Sequence, residues 1–173
     1  MSFFNIFKGK PKGPQVIDKV YMNQGAKDRA VSLMARSGNS PTFLVWSEIN
    51  YQYYQKLLDE DVKIIDKVIP SRISENKIIF LEHHFSKKKE LDFIKMLNHK
   101  EAIFINSLDD PFFEIFDSDR IKAVMKKMGH DENEAMEHEM IAKSIVKAQN
   151  KLLEEGLPED CDEHLKQWYN SIK

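Results

Sequence analysis

Few side chains in this sequence stand together in a way that suggests chemistry. Glu82-His83-His84 is the most conspicuous group. A carboxylate beside two imidazoles can move protons near neutral pH or bind a metal. The group follows directly on the apolar run Lys77-Ile-Ile-Phe-Leu81. In open α/β sheets, ligands bind beyond the carboxyl ends of such strands. Neighbouring strand residues point to opposite faces, so His83 and His84 share a metal only if the chain turns there. His99 would have to join Glu82 and His83 through tertiary folding, and His-Glu-x-x-His, which sets two ligands on one helix face, is absent. The expectation is hydrogen bonding from this corner, with no metal and no cofactor. Asp109-Asp110 offers a second acidic pair. It precedes Pro111, so it is expected to sit at the positive end of a helix dipole rather than to hold a cation.

Other chemistries are excluded by residue type. There is no Gly-x-Ser-x-Gly elbow, and Cys161 lies among Glu159, Asp160, Asp162 and Glu163, which would raise its pKa and blunt its reactivity. The chain has six glycines, none in a Walker array, so a P-loop is ruled out. Lys87-Lys88-Lys89 falls in the first turn of an expected helix, the unfavourable end for cations. It is read as solvated, with an anionic partner as the alternative. The 26 basic and 28 acidic residues leave a net charge of −2, which removes the general electrostatic case for nucleic-acid binding. A single cysteine forbids an internal disulfide and fits a reducing, cytoplasmic setting. Apolar runs fall short of a membrane span. The tail 1–14 puts three phenylalanines before Lys8, Lys10 and Lys12, the reverse of a secretory signal, so at most weak peripheral membrane contact is expected from it.

The elements that must position these groups follow from periodicity. Strands are expected over Val16–Met22, Pro41–Ser47, Val62–Ile69, Lys77–Leu81 and Lys100–Ile105. Helices are expected over Ala26–Arg36, over Glu48–Asp59 with Ile49, Tyr53, Leu57 and Leu58 as its inner face, and over Lys87–Asn98. Ser47 and Ser86 cap the last two. This alternation specifies an α/β fold: a mainly parallel sheet of about 4–5 strands with flanking helices. Beyond Asp109 the pattern turns all-helical. Phe112, Phe113, Ile115 and Phe116 form an aromatic knot, and a helix runs from Ser118 to Met128, where Gly129 ends it. A long helix over Glu134–Glu155 carries Met136, Met140, Ile141, Ile145, Ala148 and Leu152 in one stripe. A last helix carries Leu165, Trp168 and Ile172. The division expected is a tail over 1–14, an α/β domain over 15–130 and a helical C-terminal extension over 131–173.

From the last expected strand into that extension, the residues resemble a known family. Phe104-Ile-Asn-Ser-Leu-Asp-Asp110, Phe116-Asp-Ser-Asp-Arg-Ile121, Met125 and Met128-Gly129 are similar to the end of the second motor domain of SecA, the ATPase of protein export. Glu134, Glu137-His-Glu-Met-Ile-Ala-Lys-Ser-Ile145 and Ala148-Gln-Asn-Lys151 are similar to the stretch that leaves that motor and begins its scaffold helix. The resemblance covers about residues 103–155, and upstream it is one of architecture. It implies a RecA-like helicase second-domain fold. It marks Asp110, Phe116, Asp119, Arg120, His138, Lys143 and Gln149 as matched structural or partner-binding positions, with His138 a cap or core hydrogen-bonding group. The functional parts depart from the pattern. Where SecA carries a Gly-Arg-Gly-Thr-Asp turn and arginine fingers, this chain reads Phe80-Leu-Glu-His-His-Phe-Ser-Lys-Lys-Lys-Glu90, with no arginine between Arg72 and Arg120. Walker backbone and arginine fingers position and stabilise a transferring phosphoryl group. The resemblance therefore implies the fold without ATP hydrolysis.

Two functions follow as expectations. One is a non-catalytic protein-binding or adaptor module, with a protein partner or a second copy meeting the long helix and no specific nucleic acid. The other is a small hydrolase or nucleotide-binding enzyme using Glu82, His83, His84 and Asp109. A lesser variant has Arg120 reach a nucleotide held by a partner.

Overall fold

The structure is a computed structural model that describes residues 14–38, 41–58, 62–73, 77–116 and 118–156, with 114–116 described through their backbone only. Five parallel strands form one sheet in the order β1-β5-β4-β2-β3. They are β1 (Gln15–Tyr21), β2 (Thr42–Val45), β3 (Lys63–Ile64), β4 (Ile78–Phe80) and β5 (Glu101–Ser107). Between and after them run α1 (Gln24–Ala35), α2 (Glu48–Leu58), α3 (Lys87–Leu97), α4 (Ser118–Lys127) and α5 (Glu139–Glu154).

The apolar runs are continuous because both faces of the sheet are covered. Phe43, Val45, Ile79, Leu81, Ile103 and Ile105 face α1 and α2, packing with Val31 and Tyr54. Leu44, Ile78, Phe80 and Phe104 alternate with them and face α3, packing with Phe93, Ile94 and Leu97. On that same side Val20 meets Ile145, Ala148 and Leu152 of α5. Ser86 caps α3, its side chain accepting from the Lys89 N–H, and Asn98 ends the helix in the left-handed region at φ 54°.

This arrangement creates two places where neighbouring strands send their following helices to opposite faces. One lies between β2 and β4 and the other between β1 and β5. Such switch points open the crevice in which α/β sheets hold ligands. In this chain both coincide with the acidic groups singled out from the sequence.

Three expectations about the elements are corrected. The strand Val62–Ile69 is only two residues long, Lys63–Ile64, followed by a 3-10 turn at Ile65–Lys67. Its one neighbour, β2, ends at Val45 opposite Ile64, so nothing remains for it to pair with. On α2 the buried residue is Tyr54, with Tyr51 and Leu58 packed beside the core, while Ile49, Tyr53 and Leu57 stand about half exposed. Two faces of this helix carry apolar spacing; Tyr54 goes into the core, while Tyr53 stays at the surface with its hydroxyl on Asp28. The long helix starts at Glu139, not Glu134, because Met136 is extended and bridged antiparallel to Val20. Met140, expected in its stripe, is 70% exposed.

Candidate functional site

The carboxyl ends of the strands gather three polar clusters, and each is closed on itself. At the β2/β4 switch point Glu82 reaches the N-terminus of α2. Its Oε1 accepts from the backbone N–H groups of Trp46 and Ser47, both at 2.7 Å, and from Ser47 Oγ at 3.0 Å. Its Oε2 accepts from Asn50 Nδ2 at 2.5 Å. Ser47 Oγ also accepts from the Asn50 N–H at 3.3 Å, the cap expected of it. A carboxylate here meets unpaired N–H groups and the positive pole of the helix, as a bound anion would.

The β1/β5 switch point repeats the device. Asp109 Oδ2 accepts from the Gln24 N–H, at the first residue of α1, at 2.8 Å, and Oδ1 pairs with Lys122 Nζ at 2.5 Å. Burial opposes ionisation, but Lys122 and the Gln24 amide hold this carboxyl below its ordinary pKa. Asp109 thus sits at a helix N-terminus, though that of α1 and not of the turn after Pro111. Asp110 turns inward to Lys27, with Nζ at 2.9 and 3.1 Å from its two oxygens. The Ser107 N–H (2.8 Å) and Oγ (3.0 Å) complete the carboxylate's shell. Lys27 is 2% exposed, and its ammonium lies 5.6 Å from the Tyr54 ring centre. Burial works against the Lys27 charge, yet Asp110 outweighs it and raises the pKa. Burial pushes the Tyr54 phenol up to about 12, with Lys27 opposing and Asp110 assisting.

The third cluster holds the histidines. His83 Nδ1 lies 2.8 Å from Glu90 Oε1 and Nε2 lies 3.0 Å from Asp18 Oδ1. Its ring is stacked on Phe104, centroids 4.3 Å apart and planes within 1°. Burial alone would suppress protonation, but the charge of Glu90 and the bonds to Asp18 and Glu90 raise the pKa to about 10. At neutral pH this is an imidazolium between two carboxylates. Glu90 takes two further donors, the His84 N–H at 2.6 Å and Gln149 Nε2 at 2.9 Å. Gln149 Nε2 also donates to the His84 carbonyl at 2.9 Å, which ties α5 to the loop after β4. His84 points elsewhere. Its Nδ1 accepts from the Ser86 N–H, and its ring contacts Trp46 and Phe85.

Glu82, His83, His84 and Asp109 therefore occupy one edge of the sheet without converging on a common point. His99 stands beyond the far end of α3, at the opposite edge. Among the described residues, no group of three or more His, Cys, Asp and Glu side chains could hold a metal ion. No described helix is long and apolar enough to cross a membrane.

Of the remaining singled-out positions, His138 is the N-cap of α5, its Nδ1 accepting from the Met140 N–H at 3.1 Å. Gln149 is buried, as described. Lys143 is exposed and pairs with Glu139 at 2.7 Å, one turn away. Asp119 is 94% exposed in the first turn of α4, 3.7 Å from Lys122. Arg120 is exposed and, among the described residues, has no ion-pair partner. The Phe116 side chain, Cys161, the tail 1–13 and the helix expected around Trp168 lie outside the described residues.

Asp18, Lys27, Tyr54, Glu90 and Ser107 complete these clusters and escaped the sequence reading. Asp18 left a signal: it is an acid among Val16, Ile17 and Val20 on a strand of the sheet, and a buried charge there needs a partner. Lys27 left none, since one lysine on an amphipathic helix reads as solvent-facing.

No family model matches the chain. A protein translocase subunit SecA of Chlorobaculum tepidum is 51% identical over 56 residues, which is 32% of this chain and 5% of that protein. Another, of Chlorobium phaeovibrioides, is 46% identical over 56 residues, again 32% of this chain and 6% of the other. A SecA 1 of Chlorobium chlorochromatii is 29% identical over 139 residues, covering 78% of this chain and 13% of its own length. That longer match extends the likeness beyond residues 103–155 and into the sheet. The chain spans between 5% and 13% of the length of these relatives.

Proposed function

Since the chain carries a SecA-like segment on an α/β sheet of the RecA-like type, we propose that it is a protein-binding or adaptor module that does not itself hydrolyse ATP. One observation carries this reading. At both switch points, where a helix N-terminus would receive a phosphate, the chain's own carboxylates Glu82 and Asp109 already occupy the N–H groups. A nucleotide would have to displace a covalently tethered anion and then face its negative charge. The arginine-poor span from Phe80 to Glu90 supports the same reading, because it offers no guanidinium to a phosphoryl group. His83 is an unsuitable general base here, as both ring nitrogens are engaged with carboxylates and the ring is already protonated. The partner in this reading is a protein met in a reducing, cytoplasmic setting.

Phosphate release from ATP, followed beside titration with a fluorescent ATP analogue, tests the proposal. The expected result is neither turnover nor saturable binding. Turnover that disappears in His83→Ala or His84→Ala would replace the adaptor with the hydrolase.

A further inference from the structure

Among the described α-helices, α4 alone has no buried residue. It is ten residues long. Isolated helices shorter than roughly 12–15 residues are marginal in water, so packing has to hold this one. Its apolar residues are laid out for packing. Ile121, Val124, Met125 and Met128, the last just past its end, stand at i, i+3, i+4 and i+7 on one face. Met125 packs against the cluster of Ile145, Ala148 and Leu152. The rest of the stripe is open: Ile121 is 36%, Val124 50% and Met128 80% exposed.

The chain itself supplies a matching stripe. Leu165, Trp168, Tyr169 and Ile172 repeat the spacing i, i+3, i+4 and i+7 in the segment 157–173, which lies outside the described residues. The point where that segment departs is close to α4. Leu152, in the last turn of α5, is fully buried in the same cluster that Met125 joins. Then α5 stops. Gly156 takes φ 91°, with its N–H on the Leu153 carbonyl at 3.1 Å, and Pro158 follows. A left-handed glycine turns the chain off the helix axis, so the segment leaves sideways. Its first eight residues, 157–164, reach as far as about 26 Å, ample for a surface that shares a cluster with their starting point.

Charge separates this segment from the other terminal stretch, the tail. Arg120, Lys122, Lys126 and Lys127 lie on α4 against one acid, Asp119. Lys122 is held by Asp109, and Glu132 lies 3.4 Å from Lys126. Asp131, just beyond, accepts from the Asn133 N–H. Arg120 and Lys127 have no ion-pair partner among the described residues. The segment brings Glu159, Asp160, Asp162 and Glu163, whereas the tail brings Lys8, Lys10 and Lys12. Exposed pairs add little energy, so the stripe carries the contact and the charges choose the segment.

We propose that the segment 157–173 folds back within the same chain and packs Leu165, Trp168 and Ile172 on the α4 stripe of Ile121, Val124 and Met128. The contact gives α4 the packing that its length requires. Any partner that uses this face must first lift the segment away. The inference goes beyond the protein-binding reading and does not depend on it.

Cys161 is the chain's single cysteine and stands four residues before Leu165, so one added cysteine reports the contact in the intact chain. Ser118→Cys and Met128→Cys mark the two ends of the α4 stripe. Mild oxidation should join Cys161 to one of them at least about tenfold faster than in Met96→Cys or Leu33→Cys, exposed positions on other helices, and at a rate unchanged by dilution. Free-thiol titration and non-reducing electrophoresis read the link. Independently, Val124→Asp and Trp168→Asp should each lower the melting temperature by several degrees, and the double variant no further than the lower of the two. Absent or additive losses, no link from either end of α4, or a link as fast from Met96→Cys overturns the contact. A disulfide that forms only between chains would give the stripe to a second copy and also overturn it. None of these readouts involves nucleotide, so failure of this contact and failure of the adaptor reading are told apart.

Discussion

The imidazole of His83 is held by Glu90 at 2.8 Å on one nitrogen while its other nitrogen engages Asp18 at 3.0 Å. The pair joins the loop after β4 to the first turn of α3. With Asp18 it adds β1, and through Gln149 it adds α5. Four elements thus meet at one protonated ring.

That ring makes stability depend on pH. The His83 pKa rises from 6.5 to about 10 on folding, against the cost of burial, because of Glu90 and Asp18. A pKa raised by folding contributes fully below the unfolded value and is lost as pH climbs through the folded one. Urea unfolding of the wild type should therefore weaken between about pH 6.5 and pH 10. The comparison with His83→Gln removes the slopes of lysines and tyrosines that titrate nearby. Equal pH profiles for the two proteins would show that the ring is not charged in the fold.

Lys27 and Asp110 test the second cluster. Removing one member of a buried ion pair strands the other charge and costs about 3–5 kcal/mol. Lys27→Met should lower the unfolding free energy by that order, and Asp110→Asn in the same chain should return part of it. A double-mutant cycle in denaturant reads the coupling; additive losses would mean that the pair is not a unit.

Glu82 is predicted to be replaceable by a free anion. Glu82→Ala removes the acceptor from the Trp46 and Ser47 amides, a loss of about 0.5–2 kcal/mol on the scale of helix caps. Millimolar phosphate should then raise the melting temperature of the variant while leaving the wild type unchanged. If phosphate stabilises both equally, the helix pole was never plugged.

Arg120 and Gln149 both belong to the SecA-like stretch and should behave oppositely. Arg120→Ala, at an exposed position, should change stability by no more than about 0.5 kcal/mol. Gln149→Ala leaves Glu90 and the His84 carbonyl short of a donor in a buried site and should cost about 1–3 kcal/mol. Thermal melts of the two variants decide the matter. A large loss at Arg120 would point to a contact with residues beyond those described.

Much of this was legible in the sequence. The continuous apolar runs that became β2, β4 and β5 are short and bounded by turn residues, so their burial on two faces could be read directly. Ser47 and Ser86 announced their helices through capping chemistry that acts within three residues. The errors arose where the deciding neighbour is remote. Tyr54 is the tyrosine packed into the core beside Val31, with Gln24, thirty residues upstream, on its hydroxyl, while the Tyr53 hydroxyl bonds Asp28 at the surface. Ile65 to Ile69 has strand composition but lacks a paired edge. Met136 was drawn into a helix by its spacing to Met140, although Val20 holds it extended. Asp18, Lys27 and Glu90 are single charges whose partners lie far along the chain, and only the folded sheet brings them together.

The bridge between Val20 and Met136 has a consequence for how the molecule opens. Each residue donates its N–H to the other's carbonyl, at 3.1 and 2.9 Å, and Lys19 and Glu137 pair beside them. β1 is an edge strand, and this two-bond clasp shields the carboxyl-terminal end of its outer rim from pairing with another chain. It also fastens the segment before α5 to the sheet at a point distant from Gln149. The two attachments make a hinge with its pin at each end, so α5 detaches only when both give way. The Val20 and Met136 amides should then exchange their hydrogens in step with the Gln149 side of the helix, as one opening unit.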